Sequence, residues 1–294
     1  MVSPPRDEPN RSAPPVEAGP AAGTRLSAAE IHENVRVAAE EELRRPVPEL
    51  AWSGIAAGLT IGFSFLTGAF LTTLVPANYE TAANAVGYPL GFIFVVLARN
   101  QLFTENTLEP IIPLLNDRRP KTLWRVLRLW AVVLSCNLAG ALVFGLLLAW
   151  TPVVEPGVQA ALYAVAGRAT SGGFAEVCYL AVFAGWLIAL MAWLVASTRA
   201  TGAQIVLVWL TTAPIAALGF RHSIAGAVEA FYFAATGGAT WGAMIGGFVV
   251  PAILGNILGG VTLVAFLNYG QVGTDPSPWA RRRADTARHR QGVA

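Results

Sequence analysis

Two long hydrophobic stretches of this chain are each interrupted in the middle by polar and charged residues. The first interruption covers residues 102–107 (Leu-Phe-Thr-Glu-Asn-Thr), and the second covers residues 219–224 (Gly-Phe-Arg-His-Ser-Ile). Irregular backbone leaves amide and carbonyl groups without helical partners, and lipid offers them no hydrogen bonds. Such interruptions occur at membrane depth only where protein encloses them or where they line a cavity. The two breaks therefore predict helices that enclose a polar midpoint.

The composition is typical of a polytopic membrane protein rather than a soluble domain. Of the 294 residues, 54% are hydrophobic and 13% are charged, and the mean hydropathy is +0.53. About 20 residues of helix cross the hydrocarbon core of a bilayer. Six segments can be marked on this basis, of which the second and the fifth are broken: residues 50–75, 86–115, 126–150, 177–197, 205–233 and 241–267. We predict an all-α integral membrane protein with a bundle of six transmembrane helices.

The basic residues identify the cytoplasmic side of these segments, because Lys and Arg are retained preferentially in short cytoplasmic loops. Clusters of basic residues precede the first segment and follow the second and the sixth. Arg199 follows the fourth segment, whereas loops one, three and five contain a single basic residue, Arg168. We therefore expect a multi-pass protein of the cell (inner) membrane with both termini in the cytoplasm.

Four regions follow from these patterns. Residues 1–26 are rich in Pro, Ala and charge, which predicts a disordered tail. Residues 27–46 predict a cytoplasmic amphipathic helix that begins with a capping box at Ser27 and Glu30 and ends before Pro46. This helix either packs under the bundle or along the membrane, or it is solvated without a partner. Residues 50–269 form the transmembrane domain, and residues 270–294 form a basic cytoplasmic tail that meets anionic lipid headgroups.

Small residues predict close packing of the first and sixth segments. Side chains of this size let two helix backbones approach closely, which is how helices associate in lipid. The glycines concerned are Gly54, Gly58, Gly62, Gly242, Gly246, Gly255 and Gly259.

Motifs of nucleotide-driven pumps and of zinc proteases are absent from the sequence. The chain has no Walker loop, no Gly-x-Gly-x-x-Gly after a strand and no His-Glu-x-x-His. Cys136 and Cys178 lie inside apolar segments without metal-ligand spacing, so we expect buried thiols rather than a disulfide. We expect no cofactor, no metal and no nucleic-acid partner.

Each break is expected to separate two half-helices. Residues 86–98 are too short to span, and a second short piece begins at Glu109 and Pro110. Residues 205–218 stop at Gly219, and a second piece begins near Ser223. Because the breaks lie three spans apart, they have opposite orientations in the membrane. This predicts an inverted repeat of three plus three helices with half-helix ends, and their partial charges, at the midplane.

Three motifs in this order resemble the formate/nitrite transporter family. They are residues 102–104, residues 219–225 and residues 255–260 (Gly-Asn-Ile-Leu-Gly-Gly), and the resemblance covers residues 50–269 and looks closest to the YfdC-like branch. It implies an aquaporin-like protomer, a homopentamer with one pore per protomer, and no enzymatic activity. The substrates it implies are small monovalent anions such as formate, nitrite, hydrosulfide, acetate or lactate, often moved with a proton.

The resemblance also assigns residues to the pore. His222 takes the place of the central pore histidine, Thr104 that of the loop threonine, and Leu102 that of an adjacent constriction residue. A histidine at this place is able to change charge near neutral pH, and so to attract an anion and relay a proton. The alternatives are a buried neutral His222 bonded to a backbone carbonyl, and a Thr104 that caps the loop.

Other pore positions depart from the family pattern. Gly185 stands where formate channels carry a pore asparagine, and Ile215 stands where they carry a constriction phenylalanine. The family's external vestibule lysine has no clear match, although Arg168 is nearby. Phe103 and Phe220 flank the matched residues and complete the candidate pore set.

Several charged residues lie at or near the breaks. An ionised, unpaired Glu105 would repel an anion, and we predict an ion pair between Glu105 and Arg221 across the two loops, since intramembrane charges usually find partners. Glu109 and Glu229 either cap the half-helices that follow the breaks or pair with Arg99. Arg99 alternatively faces the cytoplasmic vestibule.

The leading hypothesis is a proton-linked channel or transporter for a small monovalent anion or its conjugate weak acid. The alternatives are a neutral-solute channel, although no Asn-Pro-Ala pair is present, and a closed membrane scaffold or regulator. An intramembrane enzyme that uses Glu105 and His222 lacks an accompanying nucleophile. The expected partners are the anion or acid, membrane lipid and four further copies of the chain.

Overall fold

The structure is a computed structural model that describes residues 26–265. Every regular element within these residues is a helix, which confirms the predicted all-α class. Three predicted regions lie outside the described residues: the basic tail, residues 1–25 of the N-terminal tail, and the last two residues of the sixth apolar segment.

The first helix, α1 (Ala28–Glu42), begins at the predicted capping box. The Ser27 hydroxyl accepts a hydrogen bond from the Glu30 amide at 3.3 Å, and the Ser27 amide donates to the Glu30 carboxylate at 2.8 Å. Two amides that a helix start leaves without partners are thereby satisfied. The predicted capping box is confirmed.

Helix α1 packs against the bundle. It buries Val35 and Ala39, and the Asn34 side-chain amide donates to the carbonyl of Ala196 at 3.2 Å. Just after α1, the carbonyls of Leu43 and Arg45 accept hydrogen bonds at 3.0 and 3.1 Å from the guanidinium group of Arg128 on the third long helix. The alternative of a solvated helix without a partner is therefore wrong.

Five helical stretches are long and apolar enough to cross a membrane within the described part of the chain. The first, Val47–Thr72, consists of α2 (Val47–Thr60) and α3 (Gly62–Thr72). The second, Ala77–Leu97, consists of a 3₁₀ turn (Ala77–Tyr79), α4 (Glu80–Gly87) and α5 (Pro89–Leu97), and the short helix α6 (Ile111–Asn116) follows it. The third is α7 (Pro120–Trp150), the fourth is α9 (Phe174–Val195), with α8 (Pro156–Ala169) between them, and the fifth is Trp241–Thr262. The last comprises α12 (Trp241–Met244), a π-helical stretch (Ile245–Val249), α13 (Val250–Leu258) and the start of a second π-helical stretch (Gly259–Ala265). The predicted fifth span consists of two shorter apolar helices, α10 (Thr201–Ala217) and α11 (Ser223–Ala235).

The second span corrects one prediction. The helical stretch before the first break starts at Ala77 and has 21 residues, so the piece predicted to be too short to span is long enough. The polar residues Asn78, Glu80 and Asn84 occupy its first turns and lower the local hydropathy, which hid its start. Helix α8 was not predicted either, because it is short and lies between two strongly apolar segments.

Both helices that lead into the breaks end in the same way. At the end of α5, Arg99 adopts a left-handed conformation with φ 53°, and at the end of α10 Gly219 does so with φ 67°. The amide of the next residue, Asn100 or Phe220, donates to the carbonyl five residues earlier, at 3.0 and 2.9 Å. This is a Schellman cap, which satisfies the carbonyls that a helix end leaves open.

The first break is held by one buried asparagine on α7. The Asn137 amide group donates to the carbonyl of Gly54 on α2 at 2.8 Å and to the carbonyl of Gln101 in the break at 2.9 Å. Its Oδ1 atom accepts from the amide of Phe103 at 2.8 Å. One side chain therefore ties the irregular backbone to two long helices.

The second break is held in the equivalent way by α13. The Asn256 amide group donates to the carbonyls of Ala181 on α9 and Arg221 in the break, at 2.8 and 2.9 Å. Its Oδ1 atom accepts from the amide of Ser223 at 2.8 Å. The same three bonds thus recur in each half of the chain, as an internal repeat would produce. The opposite orientation of the halves and the aquaporin-like arrangement stay predictions.

Glycine allows the close helix crossings that accompany these bonds. A Cβ atom on Gly58 would lie 2.9 Å from the Cα of Asn137, and one on Gly185 would lie 2.7 Å from the Cα of Asn256. Neighbouring atoms also crowd four other predicted glycines: Gly54, Gly62, Gly255 and Gly259. Close packing was wrong for Gly242 and Gly246, which have no such neighbour within 4 Å in the described structure.

The two cysteines are free thiols, as predicted. Cys136 lies beside Gly54, and the carbonyl of Cys178 lies beside Gly255. Both belong to helix crossings.

Candidate functional site

The two breaks meet at a hydrogen bond between Thr104 and His222. The Thr104 hydroxyl and the His222 Nε2 atom are 2.9 Å apart, although 118 positions separate the residues. Thr104 is 0% exposed and His222 is 1% exposed. The structure therefore brings together the two polar residues that the sequence assigned to the centre of the pore.

The hydrogen-bond network assigns the tautomer of His222. Its Nδ1 atom accepts from the amides of Ile224 and Ala225 at 3.2 and 3.1 Å and caps α11. Nδ1 therefore carries a lone pair, and the ring proton is on Nε2. Nε2–H donates to the Thr104 oxygen, which leaves the hydroxyl hydrogen of Thr104 to point elsewhere.

This geometry corrects two alternatives from the sequence. His222 is buried, but its ring bonds two amides and a hydroxyl rather than a backbone carbonyl. Thr104 precedes a 3₁₀ turn (Glu105–Thr107) without capping it. Its side chain contacts His222 instead.

The geometry also opposes the predicted change of charge on His222. A second proton would go to Nδ1 and would break both bonds to α11. The cation would also lie at the amino end of a helix, where the helix dipole is positive. Within this arrangement His222 acts as a neutral donor.

An aromatic residue that the sequence did not single out lies against this pair. Phe92 on α5 is 0% exposed, and its ring meets the His222 ring edge to face with centroids 5.0 Å apart. Leu102 and Ile215 are also 0% exposed. No local pattern distinguishes Phe92 from the apolar run that surrounds it.

A cavity of about 250 Å³ lies beside His222. Its lining combines apolar and charged side chains from α4, the junction of α4 and α5, α8, α10, α11, the first π-helical stretch and the second break, among them Tyr88, Arg168, Ile215, Phe220, Arg221 and Glu229. The Phe220 ring stacks on Phe183 at 5.2 Å. The cavity therefore has an aromatic border and both signs of charge.

The charged residues of the cavity have different partners. Arg168 forms an ion pair with Glu80 at 3.3 Å. Arg221 donates from Nη2 to the carbonyl of Ser171 at 3.0 Å. Glu229 on α11 has neither a hydrogen bond nor an ion pair with any residue that the structure describes, although it is only 5% exposed.

The predicted ion pair between Glu105 and Arg221 is absent from the described structure, and the repeated bonds explain why. Asn137 and Asn256 bond the carbonyls of Gln101 and Arg221 respectively. Arg221 therefore corresponds to Gln101, whereas Glu105 lies one turn further along the first break. The opposite charges do not occupy equivalent positions.

Three further predicted residues have other surroundings. Arg99 is exposed and forms no ion pair with Glu109 or Glu229 within residues 26–265. The Phe103 ring packs against Trp130, with centroids 6.0 Å apart. Gly185 lies at the crossing with α13 rather than in the lining of the cavity.

Metal ligands do not converge anywhere in the described residues, where no three His, Cys, Asp or Glu side chains come together.

Comparisons with known proteins agree with this architecture. The family model described as "Formate/nitrite transporter" matches residues 29–270. Inner membrane protein YfdC of Escherichia coli is 34% identical over 262 residues, which cover 87% of this chain and 84% of that protein. Formate channel BtFdhC of Bacillus thuringiensis is 27% identical, with 81% and 92% of the two chains covered.

Solved structures have the same fold. One described as a pentameric formate channel with formate bound matches with a TM-score of 0.66 and 23% identity, over 76% of this chain and 96% of that one. An FNT family ion channel matches with a TM-score of 0.64 and 20% identity, over 83% and 96%. Members of this family are channels or transporters rather than enzymes, and the several apolar helices make this chain a multi-pass membrane protein. The chain belongs to the formate/nitrite transporter family.

Proposed function

We propose that the protein is a membrane channel for small monovalent anions of the formate type, which cross together with a proton as the weak acid. The observation that carries this proposal is the Thr104–His222 hydrogen bond at the meeting point of the two breaks. Formate is named for relatives that cover most of this chain, including BtFdhC and a probable formate transporter of Methanothermobacter thermautotrophicus.

The donor geometry suits a small anion. Thr104 already accepts from His222, so its hydroxyl hydrogen is available for a carboxylate oxygen. Hydrogen bonds to ionised acceptors are stronger than those between neutral groups. The pair itself therefore offers a substrate oxygen a hydrogen-bond donor without a fixed charge.

The apolar neighbours of the pair select the form that passes. Leu102, Phe92 and Ile215 are buried; Phe92 contacts His222, and Ile215 lines the same cavity as His222. Moving a bare carboxylate through such surroundings is costly, whereas the neutral acid loses much less hydration free energy. Transit as the acid links the flux to protons.

The assembly and its orientation form part of the proposal. We propose a homopentamer with a pore in each protomer and with α1 in the cytoplasm. Native mass measurement with bound lipid is expected to give five protomers. For orientation, single cysteines replace Glu41 on α1 or Val153 after α7 in a protein without its native cysteines. An impermeant thiol reagent outside cells is expected to label position 153; labelling of position 41 instead reverses the orientation.

The test of transport is uptake by proteoliposomes. We expect formate uptake that rises as the external side is acidified. Uptake of a neutral solute without dependence on pH supports the neutral-solute channel, and no flux of either kind supports the closed scaffold.

Variants at the central pair test the mechanism. Thr104→Val keeps the shape of the side chain but removes the donor, and we expect uptake to fall by roughly tenfold or more, as for loss of a charge-assisted bond. Thr104→Ser is the matched control and retains most activity. His222→Asn keeps a helix cap but loses the contact with Thr104, so folding survives while flux falls. Wild-type flux in both Thr104→Val and His222→Asn would remove the pair from the mechanism.

A further inference from the structure

Glu229 is a buried carboxyl group that the proposed transport mechanism has not yet used. It lies on α11, is 5% exposed and lines the same cavity as His222. The Nδ1 atom of His222 is occupied by two helix amides, so the ring is poorly placed to accept a proton and pass it on. If the anion gains its proton inside this cavity, a group other than His222 has to give it.

We propose that Arg221 and Glu229 form a site in this cavity where Arg221 binds the small carboxylate and Glu229 gives it the proton with which it crosses. This inference rests on the proposed function and names the residues that deliver the anion and the proton to the central pair.

Arg221 has the properties of a buried anion ligand. Its side chain lines the cavity and is 9% exposed. Of its three guanidinium nitrogens, only Nη2 has a hydrogen-bond partner in the described chain, the backbone of Ser171 together with its hydroxyl. Nε is enclosed without a partner. Guanidinium groups bind carboxylates through their N–H groups, and Nη1 has no hydrogen-bond partner in the described chain, so Arg221 has unused donors for a bound anion.

Glu229 is placed to exchange a proton with that anion. The titratable and charged groups that share its cavity are Tyr88 between α4 and α5, Arg168 on α8, and Arg221 and His222 in the second break. Arg168 already forms an ion pair with Glu80. Arg221 is therefore the cation of this cavity that is available to a bound carboxylate. Taking an unpaired carboxylate out of water is costly, and a protonated carboxyl group avoids that cost.

The transfer balances in atoms and charge. The substrate carboxylate binds Arg221, and the O–H bond of the Glu229 carboxyl group breaks as a new O–H bond forms on the substrate. The neutral acid then leaves Arg221 and passes the central pair. Arg221 now faces the Glu229 carboxylate, which regains a proton from water on the open side of the cavity. One proton and one anion enter per cycle.

The experiment compares Glu229→Gln with the wild type in proteoliposomes that hold a pH-sensitive dye, with formate as the probe. We expect Glu229→Gln to lower formate uptake and to abolish the linked change of internal pH. The decrease in uptake should be roughly 100-fold, which is the lower end of the rate effect of a positioned general acid. Glu229→Asp keeps a carboxyl group and is expected to restore the pH profile at a reduced rate. Glu155→Gln, at the exposed start of α8, is the matched control and keeps the wild-type rate.

Arg221 has its own readout. Formate is expected to raise the unfolding temperature of the purified wild type, and Arg221→Gln should lose this shift and need roughly tenfold more formate for half-maximal uptake, the effect of one lost charge-assisted contact. Wild-type uptake with an unchanged pH profile in Glu229→Gln overturns the inference, as does a retained formate shift in Arg221→Gln. Absence of formate flux in the wild type instead refutes the proposed function, and the unfolding shift then still decides whether Arg221 binds the anion.

Discussion

Replacement of Asn256 by Leu tests how the second break is held. The substitution keeps a side chain of similar size but removes three buried hydrogen bonds of 2.8, 2.9 and 2.8 Å. At the roughly 0.6 kcal/mol measured on average for an interhelical bond in a membrane protein, the loss is about 2 kcal/mol. At the roughly 1.5 kcal/mol of a strong bond in a soluble protein, it is about 4.5 kcal/mol. We expect a result between these limits.

The first half of the chain supplies a matched variant. Asn137→Leu removes bonds of 2.8, 2.9 and 2.8 Å to equivalent groups, and we expect a similar loss. Asn116→Leu, at the exposed end of α6, is the control and should stay within about 0.5 kcal/mol of the wild type.

Reversible unfolding in mixed micelles measures these free energies. A loss below about 0.5 kcal/mol in either Asn137→Leu or Asn256→Leu, the range of ordinary surface substitutions, would refute the conclusion that these side chains fix the breaks. A large loss in one variant and none in the other would refute the equivalence of the two halves.

Three further perturbations test other features of the fold. Gly185→Ala places a Cβ atom 2.7 Å from a backbone Cα of α13 and should lower the free energy of unfolding by about 1–3 kcal/mol through overpacking. Gly246 has open space around it, so Gly246→Ala should not lower it. Equal unfolding temperatures of the two variants would contradict the close crossing. Arg99→Gly relieves a left-handed residue and should raise the unfolding free energy by up to about 1 kcal/mol, whereas Gly219→Ala should lower it by about as much. Unchanged free energies in both variants would show that these caps carry no strain. Arg128→Met removes the bonds to the carbonyls after α1 and should speed limited proteolysis there, while an unchanged cleavage rate would mean that packing alone holds α1.

Local sequence signals predicted much of the fold. The polar interruptions predicted both breaks because their composition changes abruptly, and the capping box predicted the start of α1 because its bonds join residues three apart. The start of the second span was missed because Asn78 and Glu80 lie in its first turns. Hydropathy depends only on composition, so these polar residues made a helical segment look like a loop.

The candidate site was predictable only where a motif marked it. Thr104 and His222 were found in this way, and the structure brings them together. The contact of Phe92 with His222 depends on how two distant helices cross, which no local pattern encodes. The prediction of a Glu105–Arg221 ion pair was wrong for a related reason. Hydrogen bonds from α7 and α13 determine which residues of the two breaks occupy equivalent positions, and the order of charges along the chain does not show them.

The two asparagines also bear on how the protein is made. Gly54, Gln101 and Phe103, the partners of Asn137, all precede it in the chain, so the first break is able to close as soon as α7 has been synthesised. At roughly 5–20 residues per second, Asn256 follows about 10 s later. In that order of synthesis, His222 would meet a Thr104 whose loop Asn137 already holds. A defect at Asn137 would therefore affect every later step of folding, whereas a defect at Asn256 would affect only the steps that follow closure of the first break.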